Sequence, residues 1–387
     1  MMLIRDRFPI LSKKTYLANH SLGAVPASAE ASLKKYFDEW SNLGILAWDG
    51  PWFEMIREFS KEIEFVLGAS VGTVVPMENV TRGFSAVASS LDWKGRAANG
   101  KPKNKIILTS LEFITSYPFW QGWAEMVGAR VVQVESPDGI SVPLEDLLAE
   151  IDDETLIVPT SHVYFRSGAI QDLQAITRRA HEVNAYVLGD GYQSVGIIPV
   201  DVVKMEIDFY VGGSHKWLCG GAGAGFLYVR ESLIGRLEPK FSGWFGIENP
   251  FEYEPTTRFK PSDGVMRFMA GTPSVPALYA AIEGIRIVNE WGLEKIRAHS
   301  LELTESIISE ALDRNIEVKT PKLQNSRAGM VCIDFPKAKE ATAFLSERGV
   351  VVDYRPNCGI RVSPHFYNNA EDLRNFWAGV DGFLSLR

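Results

Sequence analysis

The chain is poor in cysteine. Three occur in 387 residues, Cys219, Cys332 and Cys358, and they are widely scattered. That is too few for a disulfide framework, and no spacing fits a structural zinc site. Histidine is also sparse, with six in the chain. No two stand at the spacing of a helical ligand pair, so no metal is expected. A run of about 18 uncharged apolar residues is missing, so no membrane span is expected. Met1 to Ile10 carries Arg5, Asp6 and Arg7 without a long apolar stretch, unlike a secretory signal. A cytoplasmic location is the resulting expectation. Basic charge is not in excess: the net charge of −8 argues against nucleic acid or an anionic membrane as partner. The pattern GxxxxGK[ST] is absent, Gly220–Gly225 does not match GxGxxG, and there is no Gly-x-Ser-x-Gly elbow.

What remains is an ordinary globular composition, 46% hydrophobic and 23% charged, in a chain long enough for two domains. Apolar runs stand at Lys105–Thr109, Arg130–Val134, Thr155–Thr160, Ala185–Gly189, Ile207–Val211 and Gly225–Val229. Amphipathic stretches such as Leu144–Ile151 and Leu173–Val183 lie between several of them. Short continuous apolar strands alternating with helices predict an α/β domain, a mostly parallel sheet covered by helices on both faces. The segment Glu238–Asp263 is rich in proline and aromatics, including Tyr253, Pro255 and Phe259, and lacks periodicity. It reads as an excursion loop and a boundary. Beyond it, helices are expected at Val275–Glu290, Leu293–Leu312, Ala338–Arg348 and Glu371–Leu386. Short strands between them make a smaller α+β domain. The expected division is an N-terminal arm at 1–20, a large domain at 21–245 and a small domain at 246–387.

Ligands of such sheets sit at the carboxyl ends of the strands. Asp190 follows one apolar run and Lys216, set among glycines, follows the next. Alone, each is an ordinary surface residue or helix cap. Together they are what pyridoxal phosphate needs: an amine for the Schiff base and a carboxylate for the pyridinium nitrogen. The spacing Asp190-x-x-Gln193 would let Gln193 reach the phenolic oxygen of the same ring. Thr81 and Arg82, ahead of a small-residue helix at Ser85–Leu91, offer an anion site for the phosphate. Phe113 could stack on the pyridine. The guanidinium of Arg361 suits an amino-acid carboxylate.

In this order the residues resemble the class V aminotransferase family, the fold-type I pyridoxal-phosphate enzymes, from about Tyr16 to Tyr367. Within it the frame is similar to kynureninases. The segments that carry the likeness are Asn19-His20-Ser21-Leu22-Gly23, Ser161-His162-Val163, Gly243-Trp244-Phe245-Gly246, Gly271-Thr272-Pro273 and Asp353-Tyr354-Arg355-Pro356. The resemblance implies that Thr81, Arg82, Phe113, Thr115, Ser161, Asp190, Gln193, Ser214, His215 and Lys216 surround the cofactor. It implies that Trp244 and Thr272 reach a phosphate of the neighbouring subunit in a homodimer. Arg361, Asn19 and His20 are the expected substrate contacts. The chain departs from kynureninases at Gln193, His215, Ser116 and Ile247; Asp-x-x-Gln and Ser-His-Lys are what cysteine desulfurases use. Cys358 lies only three residues before Arg361, unlike the mobile-loop cysteine of desulfurases. Kynurenine-type Cβ–Cγ hydrolysis, transamination, epimerisation and a non-catalytic amino-acid-binding role all remain open at this point.

Overall fold

The structure, a computed structural model, describes residues 4–252 and 259–386. Tyr253 and Pro255 of the excursion, with Met1 to Leu3 of the arm, lie outside the described residues. A short strand, β1 (Thr15–Tyr16), comes first. The main sheet follows: β2 (Val74–Met77), β3 (Lys105–Thr109), β4 (Arg130–Val134), β5 (Thr155–Ser161), β6 (Tyr186–Asp190), β7 (Phe209–Gly213) and β8 (Gly225–Val229). Its order is β2-β8-β7-β6-β5-β3-β4. The five strands from β7 to β4 run parallel, and β8 is antiparallel to both of its neighbours. Burial explains the continuous apolar runs: every residue of β3, β5, β7 and β8 is buried. The edge strand β4 is different, because Arg130 and Gln133 face solvent.

A second sheet holds β9 (Glu317–Val318), β10 (Val331–Asp334), β12 (Asp353–Arg355) and β13 (Gly359–Val362) in the order β12-β13-β10-β9, all antiparallel. The remaining strand, β11 (Val350–Val351), pairs with β1. So the N-terminal arm is stitched to the smaller core. The helix Val275–Trp291 buries Leu278, Ile282 and Ile285 in the larger core. Its packing partners are the helices Ser28–Leu43 and Pro51–Leu67. The helix Leu293–Asp313 puts Leu303, Ile307 and Ile308 into the smaller core. Among the described residues no helix is long and apolar enough to cross a membrane.

One buried carboxylate sets the start of the main sheet. Glu64, 5% exposed, accepts the backbone N–H groups of Gly72, Thr73 and Val74 at 2.7, 3.0 and 3.3 Å. It ties the end of the helix Pro51–Leu67 to the first residue of β2. Glu64→Ala leaves three backbone donors, two of them buried, without that acceptor. A loss of about 2 to 3 kcal/mol is expected, read as a lower urea midpoint of unfolding.

Candidate functional site

The carboxyl ends of β3, β5, β6 and β7 open onto one cavity of ≈ 300 Å³. Asp190 is the last residue of β6 and pairs in register with Ser161, the last of β5. Lys216 lies three residues beyond the end of β7. Ten of the residues expected from the sequence line this cavity: His20, Thr81, Phe113, Thr115, Ser161, Asp190, Gln193, His215, Lys216 and Arg361. Five do not. Asn19 is buried with both ends of its amide engaged, by Ser363 O and by the hydroxyl of Tyr367. The Ser214 hydroxyl bonds Gly221 O. Arg82 points outward to Glu78, 3.9 Å away. Trp244 packs among Trp48, Phe245 and Phe251, and Thr272 is exposed.

Lys216 Nζ sits 4.9 Å from the ring centre of Tyr192 and 5.4 Å from that of Phe113. Burial, opposed by Asp190 and reinforced by Arg361, lowers its pKa to about 8. Asp190 is 8% exposed, and burial raises its pKa. One of its oxygens accepts the Tyr192 N–H at 2.9 Å, and among the described residues no hydrogen bond reaches the other. A buried carboxylate with one free oxygen calls for a cationic N–H. The orientation of Gln193 is fixed by its neighbours. The Trp217 indole can only donate, so it fixes Oε1 at 3.0 Å. Nε2 donates to His20 O at 2.9 Å. One N–H of Gln193 is left for the cavity.

The helix Val80–Ser90 begins earlier than the sequence suggested, because Asn79 caps it by accepting Arg82 N–H at 3.1 Å. The amides of Val80 and Thr81, in the first turn, have no acceptor within the helix. Both residues line the cavity. Lysine, buried carboxylate, stacking ring, amide donor and helix N-terminus together fit pyridoxal phosphate.

Arg361 and Asp353 stand directly opposite each other on β13 and β12. Asp353 takes Arg361 Nε at 2.8 Å and Nη2 at 2.5 Å, and Phe165 O takes Nη1 at 2.9 Å. Three of five guanidinium donors are used. One N–H remains on each terminal nitrogen. His20 braces the same carboxylate from the arm, with Nε2 2.9 Å from Asp353 and Nδ1 on the Ser363 hydroxyl. A ring with both nitrogens engaged positions Asp353 and has no free donor for a ligand. Sequence reasoning missed Tyr192, Phe165, Arg355 and Glu112. The first three line the cavity, and Glu112 lies behind it, bonded to Ser161. Cys358 was left without a role; its thiol is buried beside that of Cys332, 3.4 Å away.

Comparison with known proteins agrees with this geometry. The family described as Aminotransferase class-V matches residues 16–376. The chain belongs to the class V aminotransferase family. It is therefore a pyridoxal-phosphate enzyme of fold type I. It is 31% identical over 377 residues to the uncharacterized aminotransferase YcbU of Bacillus subtilis (strain 168), covering 96% of this chain and 95% of that one. A kynureninase of Pseudomonas fluorescens is 29% identical, over 91% of this chain and 84% of its own length. Among solved structures, the apo cysteine desulfurase of Thermococcus onnurineus NA1 superposes with a TM-score of 0.88 at 22% identity, covering 100% of this chain and 99% of that one. A lysine-to-alanine mutant of C-DES, with glycine covalently linked to its PLP cofactor, gives 0.85 at 22% identity over 97% and 98%. At that identity the likeness speaks for the class V fold only.

Two predictions follow from the geometry. Gly23 donates to His215 O at 2.8 Å, and a Cβ on it would lie 2.0 Å from Lys216 O. Gly23→Ala must push the lysine loop away, and the apparent dissociation constant for the cofactor should rise roughly tenfold or more. Equilibrium dialysis measures it. Burial lowers His20, His162 and His215 from 6.5 to about 4, and His365 to about 3. The unfolded chain then binds more protons between those values. Stability is full above pH 6.5 and falls as pH drops toward 4. A pH series of thermal midpoints should show that decline.

Proposed function

We propose that this enzyme takes a free α-amino acid by its carboxylate on Arg361 and removes the Cα proton with Lys216. The observation that supports this reading is the pairing, in one cavity, of a lysine lowered to about 8 with an arginine that keeps a free N–H on each terminal nitrogen. An amine with that pKa is partly unprotonated near neutrality, so Lys216 can act as a general base. Arg361 is held edge-on by Asp353, so its remaining pair of donors meets a carboxylate in a fixed direction. Pyridoxal phosphate, when bound, supplies the electron sink for the pair left at Cα. Asp190 keeps a proton on the pyridine nitrogen through its free oxygen. Gln193 gives its spare N–H to the phenolic oxygen. Thr81 and the amides of Val80 and Thr81 take the phosphate. Ser161, Phe113, Thr115, His215 and Ser214 complete the surround.

A homodimer is part of the proposal. Trp244 and Thr272 lie off this cavity, in keeping with a role at the phosphate of a second copy. The exposed Phe37, Trp40, Ile45 and Leu46 offer an apolar surface for that contact. The arm at 1–20, a cofactor-binding unit at 21–245, a small unit at 246–387 and a cytoplasmic location belong to the same reading. A second reading is narrower: Cβ–Cγ hydrolysis of a kynurenine-type substrate. The kynureninases among the relatives favour it, and the departures at Ser116 and Ile247 weigh against it. Transamination is the other branch.

Lys216→Ala should lose the visible absorbance of lysine-bound cofactor. A wild type without that band after added pyridoxal phosphate overturns the proposal. Arg361→Met should keep the band, while the amino-acid concentration for half response rises roughly 10- to 100-fold. A panel of L-kynurenine, 3-hydroxykynurenine, L-cysteine and L-alanine, with product analysis, separates hydrolysis from transamination. Spectral change without turnover of any amino acid would mark a binding protein.

A further inference from the structure

Behind the cavity wall lies a second buried carboxylate. Glu112 is 2% exposed, and its two oxygens accept four hydrogen bonds. Oε1 takes the hydroxyls of Thr109 and Thr160 at 2.6 and 2.9 Å. Oε2 takes the backbone N–H of Ser161 at 2.8 Å and its hydroxyl at 2.6 Å. Gln171 fixes the direction of the protons. Its Nε2 bonds Ser161 O and, at 2.8 Å, the Thr160 hydroxyl. A carbonyl only accepts, so the amide nitrogen must stand there. Thr160 therefore accepts from Gln171 and gives its own proton to Glu112. Four donors on two oxygens suit an ionised carboxylate. Ser161 thus commits its only O–H to Glu112. What it turns toward the cavity is a lone pair.

We propose that Glu112 is a positioning residue that holds Ser161 as a hydrogen-bond acceptor for the proton on the Lys216 nitrogen. The proposal rests on the pyridoxal-phosphate reading above and adds a direction to one of its contacts. Ser161 and Asp190 are register partners on adjacent strands, so the floor of the cavity presents two acceptors side by side. Of the donors that line the cavity, the spare N–H groups of Arg361 and Gln193 are already assigned above to the amino-acid carboxylate and the phenolic oxygen. Lys216 carries the cationic N–H that a serine polarised by a carboxylate binds best. Such an acceptor favours the protonated nitrogen and raises its pKa. Removing it must lower that pKa.

Several charged or titratable groups face this pair. Lys216 meets Asp190 from β6, Arg361 from β13, His20 from the arm, Tyr192 and its neighbour His215. Glu112 meets Tyr117, pushed up to about 12 by burial and then by the carboxylate, and Tyr164, raised for the same reasons.

The test is a pH titration of the visible absorbance of bound cofactor in the holoenzyme. Ser161→Ala should lower the midpoint by about one pH unit, and Ser161→Thr, which keeps the hydroxyl, should hold the wild-type value. Glu112→Gln should give a smaller drop, roughly half a unit. The backbone N–H of Ser161 still needs an acceptor, so the amide turns its oxygen there; the charge is lost, and the amide nitrogen stands where Glu112 accepted the Thr109 and Thr160 hydroxyls, which must turn their protons elsewhere. Unshifted Ser161→Ala overturns the proposal. A shifted Ser161→Ala with unshifted Glu112→Gln removes Glu112 from it. Should Glu112→Gln not fold, the alanine and threonine variants at Ser161 decide alone. A wild type without the visible band fails the earlier reading; a band with unshifted variants fails only this one.

Discussion

The free oxygen of Asp190 is the constraint around which the site is arranged. A carboxylate at the end of a central strand is costly to bury, and a single backbone N–H from Tyr192 does not complete its shell. Beyond that N–H, the charge of Lys216 offsets the burial from the protein side. The carbonyl of Asp190 accepts His162 N–H at 2.9 Å, which fixes the backbone while leaving the side chain aimed upward. Beneath it, Tyr210 bridges His162 and Ser194 at 2.7 and 2.6 Å and closes off the underside. The carboxylate is left facing the cavity, where a cofactor can meet it.

The second organising device is the arm. Residues from Thr15 to Gly23 reach both sheets that carry the site. β1 pairs with β11, Asn19 bonds Ser363 O at 2.7 Å, and His20 reaches Asp353 with its ring and Gln193 with its carbonyl. Gly23 then passes over the lysine loop. One short segment therefore spans the smaller sheet that carries Arg361 and the larger sheet that carries Lys216. The two halves of the site share a common brace.

Much of the larger sheet was legible because β3, β5, β7 and β8 are buried throughout and so read as plain apolar runs, although the equally buried β2 was not expected. β3, β4 and β8 fall on the runs expected, and β6 and β7 are displaced by one or two residues toward their chemistry-bearing ends. Lys216, Asp190 and Arg361 could be picked out because each follows or sits on such a strand. The helices Ser28–Leu43 and Pro51–Leu67 were not picked out individually. They carry Trp40, Phe65 and many charges on exposed turns, which blurs the periodicity. Glu112 could not be found from its neighbours in sequence, since its bonds to Thr160 and Ser161 cross 48 and 49 residues. The long-range partners of His20 and Asn19 were not legible for the same reason. Polar residues in an irregular arm look free until the long-range groups that engage them are seen.

Gln193 has a consequence of its own. Its amide is held by a donor on one side and a carbonyl on the other, so it cannot turn over. An imidazole at this place could gain or lose a proton. An amide has no such transition. The contact it offers has the same polarity in acid and in base, and the titration of the cofactor site just above neutrality is left to Lys216.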